Sequence, residues 1–202
     1  MIQQLKEALS NRHRKDLFTK RRRRVVGNPT ASAVLLPLFM KDEECHVLFT
    51  KRTTAVRDHK GQISFPGGAN ELVDVTLLDT ALRESKEEIG LDAGAVDIIG
   101  DLDEILTLHT NYLISPFVGV IPWPYQFKVD SREVEEIIEV PIPALLDKNN
   151  LRHETETDED GKMIIGYYYD YKGHVIWGAT ARILTQFLDI WRQVAKEQET
   201  GL

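Results

Sequence analysis

The sequence predicts an α/β (α+β) sandwich, a mixed central sheet with helices on its faces. Three observations carry this. Apolar runs of strand length stand on both sides of a helical segment at 77–90, an amphipathic helix closes the chain at 179–196, and Gly, Pro and charged clusters punctuate the rest. At 202 residues, with 42% hydrophobic and 28% charged residues, the chain is long enough for one domain with one sizeable core.

The elements follow in order. Residues 2–15 read as a short amphipathic helix with Ile2, Leu5 and Leu9 at helical spacing, suited to a partner or to the domain's edge. The runs 31–40 and 45–51 read as strands joined by the polar loop Lys41-Asp42-Glu43-Glu44. A polar stretch, 52–62, leads into Phe65-Pro66-Gly67-Gly68, where Pro and two Gly are expected to break any regular element. The helix over 77–90 ends at Gly90, a good C-terminal cap. Strands are expected near 96–103, 113–121 and 133–140, with a Pro-containing loop at 122–132 and a short turn at Leu145-Leu146. The runs 151–157 and 163–170 flank Asp160-Gly161, a tight-hairpin signal. The last helix carries Leu184, Phe187, Leu188, Trp191, Val194 and Ala195 as its apolar stripe.

Charge is unevenly spread. The net charge is −7, yet residues 1–24 balance at +7 and the remainder at −14. The sequence thus divides into a basic, helical N-terminal extension (1–24) and a domain (25–202). The basic head reads as a solvated helix end, with a phosphate-binding arm as the alternative, and the acidic domain argues against nucleic acid as a partner. A single cysteine, Cys45, excludes an internal disulfide and a Cys-rich zinc site, and fits a reducing, cytoplasmic setting. No run of 18 apolar residues offers a membrane span, and the first 15 residues lack the apolar core of a signal peptide. The N-terminal helix is compatible with a homodimer.

The chemistry concentrates in the segment from Gly67 to Leu91. With Glu84 at 0° on a helical wheel, Glu87 falls near roughly 300° and Glu88 near roughly 40°, so three carboxylates share one face. Ala81, Ser85, Leu78, Ile89 and Leu82 form a separate stripe for packing on a sheet. Arg83 stands four residues before Glu87, at ion-pair spacing. Like charges within one turn repel, and a hard divalent cation relieves them; oxygen-only ligands suit Mg²⁺ or Mn²⁺. Upstream, Lys51, Arg52, Arg57, His59 and Lys60 form a basic cluster suited to phosphate. Within an acidic chain, Arg52 or Arg57 has a competing reading, a pair with any of the chain's carboxylates, those of that helix included.

Arg83-Glu84-Ser85-Lys86-Glu87-Glu88-Ile89-Gly90-Leu91 resembles the end of the Nudix box, with Gly68 upstream. The chain departs from the family pattern in three places. Asp74 stands for the upstream Glu, eight residues rather than seven separate it from Arg83, and Ser85 replaces an aliphatic residue. The first two leave Asp74 without an assigned role. The stretch from Leu48 to Gly68, LFTKRTTAVRDHKGQISFPGG, is similar to the signature of the coenzyme A pyrophosphatase branch, with Thr50, Arg52, Arg57, Gly61, Phe65, Pro66, Gly67 and Gly68 in place. Ile176 to Leu184 looks like that branch's entry to its last helix.

The resemblance implies a Nudix-type sandwich and a pyrophosphohydrolase acting on coenzyme A or acyl-CoA, with 3′,5′-ADP and 4′-phosphopantetheine as products. It implies a metal held by Glu84, Glu87, Glu88 and the Gly68 carbonyl. It places Arg52, Arg57, His59, Gly61, Phe65 and Gly67 toward substrate, with Arg83 orienting the carboxylates. Glu104, Glu133, Glu135 and Glu136 are candidate general bases, and Glu133 is preferred because Glu133-Val134 resembles the Glu-Val before that branch's next strand. Two other outcomes stay open: hydrolysis of another nucleoside diphosphate derivative, such as ADP-ribose or a dinucleoside polyphosphate, and a module that binds nucleotide without cleaving it.

Overall fold

The computed structural model describes residues 1–12, 28–53, 61–107, 110–157 and 163–200. The expected hairpin turn at 158–161 lies outside them. Strand β1 (Thr30–Lys41) is the axis of the fold. It runs parallel to β7 (Tyr112–Val120) over nine residue pairs, from Thr30 with Tyr112 to Leu38 with Val120. The antiparallel neighbours β2 (Glu44–Arg52), β8 (Val134–Pro141) and the two-residue β3 (Ile63–Ser64) extend the sheet on one side. On the other side, β5 (Asp97–Asp101) and β6 (Ile105–Leu106) pair with β7. One parallel pair within an otherwise antiparallel sheet is the mixed sheet the sequence predicts.

Both faces of the sheet are covered, so its central strands read as continuous apolar runs rather than alternating ones. Leu36, Leu38, Val47 and Phe49 face one core, under α1 (Ile2–Ser10) and α4 (Gly178–Thr200). Leu35, Phe39 and Leu48 face the other, under α2 (Leu77–Ile89). The first helix thus packs on its own domain: Leu5 and Leu9 are buried in the core that α4 closes with Leu184, Phe187 and Leu188. The short α3 (Ile142–Leu146) occupies the turn expected at Leu145-Leu146.

Two features depart from the sequence reading. Residues Gly67–Ala69 do not merely break structure; they form a strand, β4, antiparallel to β1. One edge of β1 is therefore shared, pairing with β4 at Ser32–Val34 and with β2 from Leu38 onward. Between them the Leu35 N–H donates to the Pro66 carbonyl at 2.9 Å. Pro37, two residues on, would present its N–H to the same edge and has none. The second departure is a separate three-stranded sheet, β9 (Leu151–Thr157), β10 (Met163–Tyr171) and β11 (His174–Ile176). Of the Tyr167–Tyr169 run, Tyr169 is buried against α4, its hydroxyl 2.8 Å from that of Thr185. Cys45 is a buried core residue whose thiol burial pushes up to about 12.

Candidate active site

The site is built on α2, and both helix ends are fixed by sequence. Thr76 caps the N-terminus through a reciprocal box with Asp79: the Asp79 N–H donates to Thr76 Oγ1 at 3.2 Å and the Thr76 N–H to Asp79 Oδ2 at 2.8 Å. The spacing Thr-x-x-Asp is legible in the sequence, although the helix reading did not use it. Gly90 takes a left-handed φ of 68° and closes the other end. The helical register of the acidic residues is therefore set independently of any ligand.

That register splits the three carboxylates. Glu87 points outward, with 60% of its side chain exposed. Glu84 is 16% exposed and Glu88 only 2%. Glu88 lies nearest the apolar stripe on the wheel, and Ala81, Ser85 and Ile89 in that stripe are fully buried. Ser85, where the family has an aliphatic residue, satisfies its hydroxyl by donating to the Ala81 carbonyl at 2.7 Å.

Arg83 is saturated. It grips Asp74 with two parallel bonds, Nε to Oδ1 at 2.9 Å and Nη2 to Oδ2 at 3.0 Å. It also donates to Glu84 Oε1 at 2.8 Å, to Glu87 Oε2 at 3.3 Å and to the Ala69 carbonyl at 3.1 Å. Asp74 further accepts from the Glu71 N–H and from the Thr80 hydroxyl, both at 2.9 Å. The Arg83 guanidinium and these donors hold the Asp74 carboxyl well below the usual carboxylate range. Asp74, left without a role by the sequence, is the anchor of the orienting arginine. The carboxylate spaced for it was present; the one-residue register change hid it.

The far end of the helix is different. Burial pushes the Glu88 carboxyl up to about 8, reinforced by the charges of Glu84 and Glu133 and opposed by Arg52 and the Gly67 backbone. Glu84 is raised by burial as well, with Arg83 pulling it back. Arg52 Nη1 is 3.4 Å from Glu88 Oε1, and its Nη2 is 3.9 Å from Glu133 Oε2. Glu88 Oε2 and Arg52 Nε are buried with no hydrogen-bond partner. The pairing of Arg52 with a carboxylate of the helix is the competing reading of the sequence realised.

The glycines explain how close the parts stand. A Cβ on Gly68 would meet the Glu84 carboxylate carbon at 2.5 Å, and one on Gly67 would meet the Ala33 carbonyl oxygen at 2.3 Å. Only a glycine pair lets β4 lie against both β1 and Glu84. Gly61, with φ 68°, has open space around its Cα. Phe65, expected to face substrate, instead has its ring in the core, 2% exposed and stacked on Phe49 at 4.8 Å. Its hydrophobic ring is worth more there than against an anion. Arg57, His59 and Lys60 lie outside the described residues. Lys51 turns away to pair with Glu135 at 2.8 Å. Of the candidate bases, Glu104 accepts from Ser115 at 3.0 Å and Glu136 stands 3.9 Å from His174. Glu133 shares Arg52 with Glu88. Among the described residues, no three His, Cys, Asp or Glu side chains already form a group ready to hold a metal, since Glu84 and Glu88 are turned to arginines.

The fold is a two-faced α/β sandwich in which a carboxylate helix, capped at both ends, lies against a Gly-Gly strand. Residues 29–160 match the family model described as the NUDIX domain. The chain is 35% identical over 164 residues, covering 81% of it and 86% of the relative, to an uncharacterized Nudix hydrolase NudL of Photorhabdus laumondii. It is 38% identical to Nudix hydrolase 22, chloroplastic, of Arabidopsis thaliana, over 77% of this chain and 53% of that protein. A solved MutT/nudix family protein from Enterococcus faecalis shares the fold at a TM-score of 0.57 and 14% identity, over 91% of this chain and 71% of that one. The chain belongs to the NUDIX domain family, and it is a pyrophosphohydrolase. No helix among the described residues is long and apolar enough to cross a membrane.

Proposed function

We propose that this Nudix hydrolase cleaves the pyrophosphate bond of coenzyme A and its acyl forms, in a cytoplasmic setting, giving 3′,5′-ADP and 4′-phosphopantetheine or its acyl form. The observation that carries this reading is the junction of two motifs. Arg52 and Gly67-Gly68, from the Leu48–Gly68 stretch that resembles the coenzyme A branch, stand against Glu88 and Glu84 of the hydrolytic helix.

The residues fit a hard divalent cation, Mg²⁺ or Mn²⁺. Glu88 keeps a buried oxygen with no partner, the space a Cβ would fill at Gly68 borders the Glu84 carboxylate, and the donor set is entirely oxygen. Glu84, Glu88, Glu87 and the Gly68 carbonyl would hold it. The chemistry such a cation supplies is charge neutralisation on the diphosphate and a more acidic water. Arg83, anchored by Asp74, fixes the Glu84 carboxylate in place. Arg52, Arg57 and His59 offer donors to the phosphates, and Gly61, with open space beside it, leaves room for them, whereas the missing side chain of Gly67 serves the packing of β4 on β1. Glu133 takes the proton of the attacking water as the water oxygen bonds to phosphorus and the anhydride P–O bond breaks.

The test is a product assay. The full chain with Mg²⁺ is given CoA, acetyl-CoA, ADP-ribose or a dinucleoside polyphosphate, and products are identified by mass. Preferential conversion of the CoA species to 3′,5′-ADP and a phosphopantetheine is the expected result. Turnover of ADP-ribose or the dinucleoside alone overturns the CoA assignment while keeping the hydrolase, and absence of any turnover with Mg²⁺ or Mn²⁺ returns the chain to the non-catalytic reading.

A further inference from the structure

Two arginines pair with carboxylates of the acidic helix, Arg83 from within it and Arg52 from β2, and they are held very differently. Arg83 makes five side-chain bonds between 2.8 and 3.3 Å. Arg52 reaches Glu88 at 3.4 Å and Glu133 at 3.9 Å, longer than the roughly 2.7–2.9 Å of a well-made charge-assisted bond. Its Nε is buried without a partner, and so is the second oxygen of Glu88. Its backbone, by contrast, is pinned: the Arg52 N–H donates to the Gln62 carbonyl at 2.9 Å, and the Arg52 carbonyl accepts from the Gly61 N–H at 3.2 Å. The side chain retains 26% exposure. A fixed backbone with a loosely held, part-exposed guanidinium allows the side chain to change partners by rotation about its own bonds.

We infer that Arg52 is an exchangeable counter-ion: it neutralises Glu88 and Glu133 in the empty site, and releases both carboxylates to pair with the substrate diphosphate when a divalent cation and substrate arrive. This inference rests on the functional reading above and assigns Arg52 a direct substrate-binding role in it. One guanidinium stands between two carboxylates in the empty protein. In the loaded site the cation takes over that duty, and the diphosphate brings the negative charge that Arg52 then meets. Loose geometry is what this exchange needs, since a saturated arginine such as Arg83 would resist it.

Exchange makes two opposite predictions for one substitution. In Arg52→Ala the carboxylates lose a competing cation, so Mn²⁺ alone, titrated calorimetrically into the metal-stripped full chain without nucleotide, binds at least threefold more tightly than to the unaltered protein. The same variant loses a phosphate partner, so KM for the substrate turned over rises about tenfold or more with a smaller change in kcat. Arg52→Lys restores KM in part. A purely structural Arg52 would weaken Mn²⁺ binding together with KM, and a residue serving substrate alone would leave Mn²⁺ binding unchanged; either result overturns the inference. Melting temperatures of both variants identify misfolding, and Arg52→Lys carries the comparison if Arg52→Ala does not fold. Glu88→Gln is the control that separates failures. If it binds Mn²⁺ as the unaltered chain does, the metal site itself is misassigned and the inference falls with it. If no diphosphate is turned over, the functional reading fails and the Mn²⁺ titration alone judges Arg52.

Discussion

Asp74 and Glu88 are two carboxylates whose side chains are almost closed to solvent, 3% and 2% exposed, and they are held in opposite states. Asp74 receives two guanidinium bonds, a hydroxyl and a backbone N–H, and is kept charged far below its ordinary range. Glu88 has one long guanidinium contact and the Gly67 backbone set against burial and two neighbouring carboxylates, keeps an unpartnered oxygen, and is pushed up to about 8. Both side chains have little contact with solvent, but at Asp74 the Arg83 guanidinium and the other donors outweigh desolvation, whereas at Glu88 burial is the dominant influence and the one nearby guanidinium is too distant to offset it. One end of the helix is a finished structural lock; the other lacks one positive charge, and a cation would supply it.

The largest expected effect comes from removing the charge at the unfinished end. Glu88→Gln should lower kcat on the order of 10³-fold, the scale of losing a cation's contribution to the transition state. The same change should stabilise the metal-free protein at high pH. The folded pKa is raised, so the folded state binds more protons than the unfolded one between about pH 4.5 and about 8, and stability falls as pH rises through that window. Gln has no such slope. Thermal melts in EDTA should show the variant level with the unaltered chain near pH 5 and ahead by about 4 kcal/mol at pH 9.

Breaking the finished end should act the other way. Asp74→Asn should cost about 3 kcal/mol near neutral pH, because it leaves Arg83 without its main partner. The folded pKa of Asp74 is depressed, so its contribution is full above about pH 5 and is lost as pH falls through the acid range. Denaturant titrations across that range should show a shallower acid limb in the variant. Its activity loss should be smaller than that of Glu88→Gln, since Asp74 acts only through Arg83.

The smallest structural change sharpens the comparison. Gly68→Ala places a methyl 2.5 Å from the Glu84 carboxylate, the free end of a flexible side chain. The side chain should give way and the fold should hold, with less than about 1 kcal/mol lost. Activity should drop about 10- to 100-fold because Glu84 is displaced. A kinetic assay beside a melt of the same preparation separates the two effects.

Much of this was legible in the sequence, for identifiable reasons. The helix 77–90 announces itself by period and by its Gly90 cap, and strands 31–40 and 45–51 by unbroken apolar runs. The presence of Glu84 and Glu88 on one face follows from the wheel. What the wheel does not contain is the partner surface: whether Glu87 or Glu88 turns inward depends on a sheet assembled from β1, β2 and β4. Strand β4 was hidden because Pro-Gly-Gly is a breaker locally, while close backbone approach to Ala33 is a tertiary demand. Asp74 was hidden by a one-residue register change, and Phe65 was misplaced because a motif position does not reveal which way its ring points.

The most direct test of the contrast between the two ends is a carbon-13 carboxyl titration of Asp74 and Glu88 in the metal-stripped protein, repeated with saturating Mg²⁺. The account predicts that Asp74 stays charged throughout the titration down to the acid range in both samples. It predicts that Glu88 titrates near 8 without metal and at least two pH units lower with it. A Glu88 that titrates in the ordinary carboxylate range without metal, or one that Mg²⁺ does not move, would contradict it.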